Sequence, residues 1–345
     1  MSPARPSAPA PLRGGASGDA AVPEPLLRAS GLVVELPGRS AALRIVDDVS
    51  FDIPAATTVG LIGESGSGKT MTANALIGLL PDGATVSGSL GWRGEELLTA
   101  TSSRRRELRG HEIAMIFQDP LAALNPTQTI GRQVGEILRR AGRSRSEVRS
   151  RVVELLDRAG IPSPAEKLGS FPHEFSGGMR QRAVIAMALA GSPSLLLADE
   201  PTTALDVTVQ ARILKLLRSI QEDAGLSMLL VSHDLRVMAH VAHQVVVMYA
   251  GRVAERGATS DVLRQPAHPY TRALVDSVPA VRTKTALAHP LPGTPATPAN
   301  RPAGCAFHPR CPLARERCRT EQPELRAVAP GRWTACHFAE EVLDA

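Results

Sequence analysis

Gly63-Glu64-Ser65-Gly66-Ser67-Gly68-Lys69-Thr70 is the stretch of this sequence that decides the fold. It matches the pattern G-x-x-x-x-G-K-[ST], the P-loop, whose glycines let the backbone wrap an anion and turn several N–H groups inward. The apolar run 58–62 predicts a short buried strand before it, and residues 71–80 predict a helix after it. A bound phosphate would therefore lie at a helix N-terminus. An ordinary Gly/Ser-rich turn is the alternative, but it does not explain why strand, loop and helix agree.

Four polar side chains are candidates for nucleotide chemistry. Lys69 would reach the β- and γ-phosphates, and the hydroxyl of Thr70 would ligate Mg²⁺. Asp199 and Glu200 end the apolar run that begins at residue 195, where P-loop proteins place an aspartate that holds Mg²⁺. Glu200 could orient or deprotonate the attacking water. The alternative for this acidic pair is a cap on the turn that follows the strand.

Composition bounds the class of protein. The chain has 345 residues, a net charge of +5, 43% hydrophobic residues and only 3% aromatic residues, so its core must be mainly aliphatic. No apolar run approaches the ~18 residues that span a bilayer, and the N-terminus lacks a signal-peptide core, which predicts a soluble cytosolic protein. Arginine clusters such as 104–106 lack interleaved aromatics. They favour a solvated helical face, with some attraction to anionic lipid, over a nucleic-acid surface.

Hydrophobic periodicity changes along the chain. Alternating segments between residues 26 and 62 predict a small antiparallel sheet, and residues 128–190 follow a helical pattern that includes a Ser144–Glu147 capping box. Apolar strands 195–199 and 227–232, separated by a helix, predict βαβ units and a parallel sheet. The predicted fold is therefore α/β: a P-loop NTPase core with a mainly parallel sheet, an antiparallel β subdomain, a helical insertion and a cysteine-containing C-terminal extension.

A second candidate phosphate site lies at Ser176-Gly177-Gly178, which opens a helical run through Leu189. Serine and two glycines at a helix start present free N–H groups at the positive end of the helix dipole. The alternative is a plain N-cap, which serine also forms well.

In its ordered motifs the chain resembles the ATP-binding-cassette (ABC) ATPases. Residues 175–181 are similar to the family's signature motif, Ala204-Leu205-Asp206 to its D-loop, Gln118 to its Q-loop glutamine and His233 to its switch histidine. Gln118 or His233 alone would mean little, but six motifs occur in the family's order across residues 26–257. The predicted boundaries are 1–25 for a disordered segment, 26–278 for the ATPase domain with its helical insertion at about 121–190, and 279–345 for the extension.

The resemblance implies a mechanism in which two ATPases pair head to tail. ATP is clamped between the P-loop of one protomer and the signature helix of the other, and positioning with charge neutralisation lowers the barrier. The implied roles are γ-phosphate contacts across the dimer for Ser176, Gly177 and Gly178, catalytic base for Glu200, γ-phosphate contact for His233, sensing of Mg²⁺ and water for Gln118, Mg²⁺ binding for Asp199, and coupling of the two sites for Asp206.

Two positions depart from the family pattern. Met179 replaces a common glutamine, and Leu36 stands where an aromatic side chain usually stacks on adenine. We therefore expect the adenine to be contacted by an apolar side chain rather than stacked on an aromatic ring.

Finer matches resemble the oligopeptide/dipeptide importer branch, among them residues 118–126, 175–182 and 268–274. Membership implies a peripheral subunit at the cytoplasmic face of the cell membrane that hydrolyses ATP to power peptide uptake. Its implied partners are a second identical or homologous ATPase, two transmembrane permease subunits and, indirectly, an extracytoplasmic substrate-binding protein, with no nucleic acid. Nickel or another small solute stays open as cargo because other subunits select it. A soluble non-transport ABC ATPase is a further alternative, although the chain has one P-loop and only a short helical insertion.

All four cysteines lie in the predicted extension, at Cys305, Cys311, Cys318 and Cys336. A cytosolic chain keeps thiols reduced, and the paired C-x₂-C steps of zinc ribbons are absent. Four thiolates in a loop-rich segment could hold a 4Fe–4S cluster, and so apolar-poor a segment would gain stability from a metal. Resemblance to the importer branch favours the cluster. Zinc and unligated thiols stay open, because spacing alone does not choose the metal.

Overall fold

The computed structural model describes residues 24–38, 41–203, 205–277 and 293–344. The segment predicted to be disordered, 1–25, lies outside these ranges except for its last two residues. The strands form one small and one large sheet. They are β1 (Leu27–Leu36), β2 (Leu43–Ile53), β3 (Thr58–Ile62), β4 (Thr85–Trp92), β5 (Glu95–Glu96), β6 (Ile113–Ile116), β7 (Leu195–Asp199), β8 (Ser227–Ser232), β9 (Gln244–Tyr249), β10 (Arg252–Ala258), β11 (Arg326–Ala329) and β12 (Arg332–Thr334).

The helices of the described residues are mostly short. No helix among them is both long and apolar enough to cross a membrane. They are α1 (Lys69–Leu76), α2 (Ser102–Leu108), α3 (Pro120–Ala123), α4 (Ile130–Val134), α5 (Glu136–Arg140), α6 (Arg145–Arg158), α7 (Gly177–Leu189), α8 (Val207–Ala224), α9 (Leu235–Val241), α10 (Thr259–Arg264), α11 (Pro269–Asp276), α12 (Glu316–Thr320) and α13 (Ala339–Asp344).

Two helix predictions need adjustment at their ends. The helix after the P-loop stops at Leu76 rather than at residue 80, because the chain turns at Gly78 with a left-handed φ of 64°. At the start of the helical pattern predicted for residues 128–190, the helix is divided at Gly135 into α4 and α5. The capping box of Ser144 and Glu147 at the start of α6 is present as predicted.

The small sheet is antiparallel, in the order β2-β1-β4-β5, which confirms the predicted antiparallel subdomain. β2 is one long strand, although Asp47 and Asp48 divide its apolar residues into two groups. The apparent gap is a local irregularity: Asp48 adopts a φ of 55°, and the pairing of β1 with β2 shifts register between Leu32 and Val34. Such bulges interrupt the alternation of side chains without ending the strand.

The large sheet has the order β11-β12-β10-β9-β3-β8-β7-β6. The five strands from β9 to β6 are parallel, as predicted for a P-loop core. The other three are antiparallel, and β11 and β12 belong to the predicted C-terminal extension, 279–345. The mixed sheet arises because a hairpin turning at Gly331, with a φ of 70°, adds itself to the edge of β10.

The core lies on both faces of the large sheet. Along β7, Leu195 and Leu197 pack with the small sheet, whereas Leu196 and Ala198 pack with the helices on the opposite face. This alternation is what a strand with two buried faces requires. Each fully buried leucine contributes about 1.5–3 kcal/mol. Burial on both faces therefore fixes the central strands, and the loops at their carboxyl ends are held in place.

Candidate functional site

The P-loop connects the carboxyl end of β3 to α1. Its turns depend on glycine at two positions, because Gly66 and Gly68 adopt φ values of 76° and 100°. A Cβ atom on Gly68 would also lie 3.1 Å from the carbonyl oxygen of Ile45. Gly68 caps α1 without a side chain, so the first N–H groups of the helix face the loop and are available to an anion.

Lys69 is buried within the loop that it ends. Its Nζ donates to the carbonyl oxygens of Gly63 at 2.8 Å and of Glu64 at 3.0 Å. Burial lowers the pKa of the ammonium, and the nearby carboxylates of Glu200 and Asp199 partly offset that effect. Backbone carbonyls thus hold the ammonium at the loop. Phosphate oxygens bound there would stabilise its positive charge, which burial disfavours.

Thr70 and Asp199 come together although they are distant in sequence. The Thr70 hydroxyl donates to Oδ1 of Asp199 across 3.2 Å, and Asp199 is 3% exposed. Burial raises the pKa of Asp199, while the Thr70 hydroxyl acts in the opposite direction. A hydroxyl beside a buried carboxylate is the oxygen-only donor set that suits Mg²⁺. A bound cation would favour the ionised carboxylate.

Glu200 is the centre of a polar cluster at the ends of three strands. Gln118 Nε2 donates to Oε2 of Glu200 at 3.3 Å, and His233 Nδ1 lies 3.3 Å from Oε1. The Thr203 hydroxyl also donates to Oε2, at 2.8 Å. Thr203 was not among the site residues predicted from the sequence. Its position three residues after Glu200 was the one sequence feature that could have indicated this contact. The structure thus brings together the three residues for which catalytic roles were predicted.

The backbone of Glu200 is unusual. Its φ is 45°, in the left-handed region that a non-glycine residue rarely adopts, and its N–H donates to the carbonyl of Val231 on β8. Such a conformation costs of order 1–3 kcal/mol and persists where the surroundings dictate it. The backbone therefore turns sharply after β7 and places the carboxylate beside the P-loop lysine.

The predicted second phosphate site is separate from this cluster. Ser176 caps α7 by accepting from the Met179 N–H at 3.3 Å, and Ser176 and Gly177 are exposed. Among the described residues, no hydrogen bond joins Ser176, Gly177 or Gly178 to the P-loop. Asp206 caps α8 in the same way, accepting from Val209 at 2.9 Å. The free helix end is therefore exposed, and among the described residues it makes no hydrogen bond with the P-loop of its own chain.

The four cysteines line one small cavity, together with apolar side chains such as Phe307 and Phe338. No disulfide joins them. Burial raises the pKa of Cys305, Cys311 and Cys336 to about 11 in each case. In the described parts of the chain, no group of three or more His, Cys, Asp or Glu side chains is arranged to hold a metal ion.

Backbone N–H groups reach three of the cavity's thiols. The backbone N–H groups of Phe307 and His308 act on the pKa of Cys305, that of Leu313 acts on Cys311, and that of Phe338 acts on Cys336. These donors lower the thiol pKa values against the larger effect of burial. Burial remains the larger effect, so the cavity favours the neutral form of these thiols.

Two family models match the chain. Residues 46–203 match the ABC transporter model, and residues 254–318 match the C-terminal region of oligopeptide/dipeptide transporters. Among curated proteins, the dipeptide transport ATP-binding protein DppD of Escherichia coli (strain K12) is 43% identical over 91% of this chain and 96% of the relative.

Solved structures give the same result for the fold. The ATP-binding cassette MJ0796, in a dimeric post-hydrolysis state bound to ADP and Pi, superimposes with a TM-score of 0.61 at 26% identity. That match covers 68% of this chain and 98% of MJ0796. The protein cbiO1 of Clostridium perfringens, part of the ABC transporter complex cbiONQ, gives a TM-score of 0.60 at 25% identity, covering 69% of this chain and 90% of cbiO1.

Proposed function

This chain belongs to the family of ABC transporter ATP-binding subunits, and from that membership we propose that it hydrolyses ATP to power the import of dipeptides or oligopeptides. The observation that carries the cargo assignment is the match of residues 254–318 to the C-terminal region of oligopeptide/dipeptide transporters. Near full-length similarity to a dipeptide transport subunit supports it.

The arrangement around the P-loop supports specific roles. Backbone N–H groups of residues 63–70 would bind the phosphates, and Lys69 would exchange its carbonyl partners for phosphate oxygens. Thr70, Asp199 and Gln118 would hold Mg²⁺, which neutralises phosphate charge when bound.

The cluster at Glu200 supports the hydrolytic step. Glu200 would accept a proton from the attacking water, and its contacts with Gln118 and His233 would hold the carboxylate in place for that transfer. His233, with 56% of its side chain exposed, is free to turn toward a γ-phosphate. Hydrolysis then depends on position and charge rather than on a covalent intermediate.

A complete site would need a second protomer. Ser176, Gly177 and Gly178 present their helix end outward, and the similar cassette MJ0796 is dimeric. We therefore place the signature helix of one protomer over the triphosphate of the other, with Asp206 between the two sites. The second ATPase would be identical or homologous to this chain.

The wider assembly follows from the same family. Two transmembrane permease subunits would bind this chain at the cytoplasmic face of the membrane, and an extracytoplasmic substrate-binding protein would deliver the peptide. We assign no nucleic-acid partner.

The cargo is tested by measuring ATP hydrolysis in the assembled transporter. The chain is co-purified with its permease subunits and placed in liposomes with the substrate-binding protein. We expect a dipeptide to stimulate ATP hydrolysis several-fold. We also expect it to accumulate on the side of the bilayer opposite the substrate-binding protein. Stimulation by Ni²⁺ but not by any di- or oligopeptide would contradict peptide import, while leaving the ATPase assignment intact.

For the four cysteines we propose a 4Fe–4S cluster, with zinc as the alternative. Cys305, Cys311, Cys318 and Cys336 share one cavity, and backbone N–H groups lower the pKa of three of the thiols against the effect of burial. Hydrogen bonds to sulfur and a largely apolar shell are the features by which proteins stabilise such clusters and set their potentials. The thiols must lose their protons on binding, so binding would release protons.

We expect protein purified without oxygen to be brown, with an absorbance band near ~400 nm and about four iron and four sulfide per chain. Cys318→Ser should reduce the band and the iron content strongly. Ser277→Ala, outside the cysteine cavity, serves as a control and should retain both. Colourless protein containing stoichiometric zinc under the same conditions would contradict the cluster.

A further inference from the structure

An arginine near the cysteines reaches the P-loop. Arg310 forms a two-pronged pair with Glu64, the second residue of the loop: its two terminal nitrogens lie 2.6 and 3.1 Å from the two carboxylate oxygens. The Arg310 side chain is 3% exposed and that of Glu64 is 24% exposed. Fork-to-fork pairs of this kind fix orientation as well as charge. A contact this buried and directional holds Glu64 in one place.

Aromatic side chains surround this pair. Tyr249, Tyr270 and Phe307 pack together with ring centroids 4.6 to 5.4 Å apart. The hydroxyl of Tyr270 accepts a hydrogen bond from the Glu64 N–H at 2.9 Å. Arg310 also donates to the Tyr249 hydroxyl at 3.4 Å. Both the side chain and the backbone of Glu64 are therefore anchored by residues far from the loop in sequence.

The anchored residue bears directly on the phosphate site. The carbonyl of Glu64 accepts from Lys69 Nζ at 3.0 Å, so the position of Glu64 helps to set the position of that lysine. An unpaired carboxylate in the loop would also repel the triphosphate. Arg310 neutralises it and holds the loop in shape before ATP arrives, and both effects favour binding.

A second arginine near the cysteines, Arg301, is connected to the P-loop indirectly, through the backbone of residues 250 and 251. Arg301 bonds the buried carboxylate of Asp47 and donates to the carbonyl of Ala250 at 3.0 Å. The next residue, Gly251, donates its N–H to the carbonyl of Ser67 at 2.9 Å. Segment 293–311 is thus fastened beside the P-loop at two points, and Arg310 makes the more direct contact.

We propose that Arg310 is a positioning residue for ATP binding, through which the cysteine-containing segment sets the affinity of the P-loop for the triphosphate. Arg310 immediately precedes Cys311 and lies in the turn His308–Arg310 that follows Cys305. A change at the cysteines that moves this turn moves Arg310 as well. Because coupling between two sites is reciprocal, ATP binding should also restrain the turn. This role of Arg310 depends on neither a particular cargo nor a particular metal.

The test is a double-mutant cycle on the full chain, read as the Kd for AMP-PNP with Mg²⁺ by calorimetry. Arg310→Met should weaken binding about tenfold, and Arg310→Lys, which keeps the charge but not the fork, should weaken it less. In the Glu64→Gln background Arg310→Met should change the Kd less than twofold, because no carboxylate remains to be neutralised. Equal weakening in both backgrounds would overturn the proposal.

Arg315→Met is the matched control. Arg315 forms a two-pronged pair with Glu341 that is exposed and lies outside segment 293–311, so this variant removes an arginine–glutamate pair without touching the P-loop. Its Kd should match that of the unmodified chain. If Arg310→Met does not fold, Arg310→Lys carries the same cycle, and a Kd unchanged in folded Arg310→Lys would refute the role of the fork.

Hydrogen–deuterium exchange provides a readout independent of affinity. AMP-PNP with Mg²⁺ should slow exchange in residues 305–311 of the unmodified chain, and this protection should be lost in Glu64→Gln. Nucleotide-induced protection that is equal in both proteins would show that the turn does not report on the loop through Arg310, and would contradict the coupling.

Discussion

Replacing Glu200 with glutamine is expected to leave ATP binding intact while lowering kcat for hydrolysis about 10²–10³-fold. The amide keeps the size of the side chain and can still bond Gln118 or Thr203, which lie 3.3 and 2.8 Å from the carboxylate. It cannot accept a proton from water. Steady-state phosphate release measures kcat, and a nucleotide-binding titration measures the affinity for ATP. Gel filtration should show a stable ATP-bound dimer of the variant.

Glu222→Gln is the matched control, because that carboxylate is exposed on α8 and pairs with Arg218 of the same helix. It should hydrolyse ATP at the unmodified rate. Undiminished turnover in Glu200→Gln would remove Glu200 from the role of base and leave the cluster without an assigned proton acceptor.

Lys69→Ala is expected to weaken binding of MgATP by roughly 10²–10³-fold, about 3–4 kcal/mol. The lysine would make more than one charge-assisted contact to the β- and γ-phosphates, each of which contributes about 1.5–3 kcal/mol. Folding should be less affected, because the substitution also removes an ammonium that burial penalises. Calorimetric titration with AMP-PNP measures the first effect, and thermal unfolding measures the second.

Lys215→Ala, at an exposed position of α8, provides the comparison and should bind nucleotide normally. A Lys69→Ala protein with the affinity of the unmodified chain would mean that the loop does not hold the phosphates as proposed.

The nucleotide end of the fold was predictable because local patterns determine it. A glycine-rich turn between a buried strand and a helix can be recognised from eight consecutive residues. Parallel strands place their carboxyl ends at one edge, so residues that follow β6, β7 and β8 have to meet. Gln118, Glu200 and His233 do so, at 3.3 Å in each contact with the glutamate.

The remaining features depend on contacts that no local pattern encodes. Strands β11 and β12 are only four and three residues long, too short for a local pattern to predict, so their place in the sheet is set by the edge of β10. Arg310 and Glu64 are 246 positions apart, and nothing near either residue indicates the other. The continuity of β2 through Asp48 could not be predicted for a related reason. It depends on the pairing of β2 with β1 on both sides of that residue.

The hairpin of β11 and β12 has a practical consequence for shortening this protein. A version that stops at Asp276 would leave β10 as an open border of the large sheet, ready to pair with a neighbouring molecule. It would also remove Arg332, the ion-pair partner of Glu255. The fully buried carboxylate of Glu255 would then have no positive charge beside it. We therefore expect a shortened chain to remain stably folded only if it extends at least through Thr334.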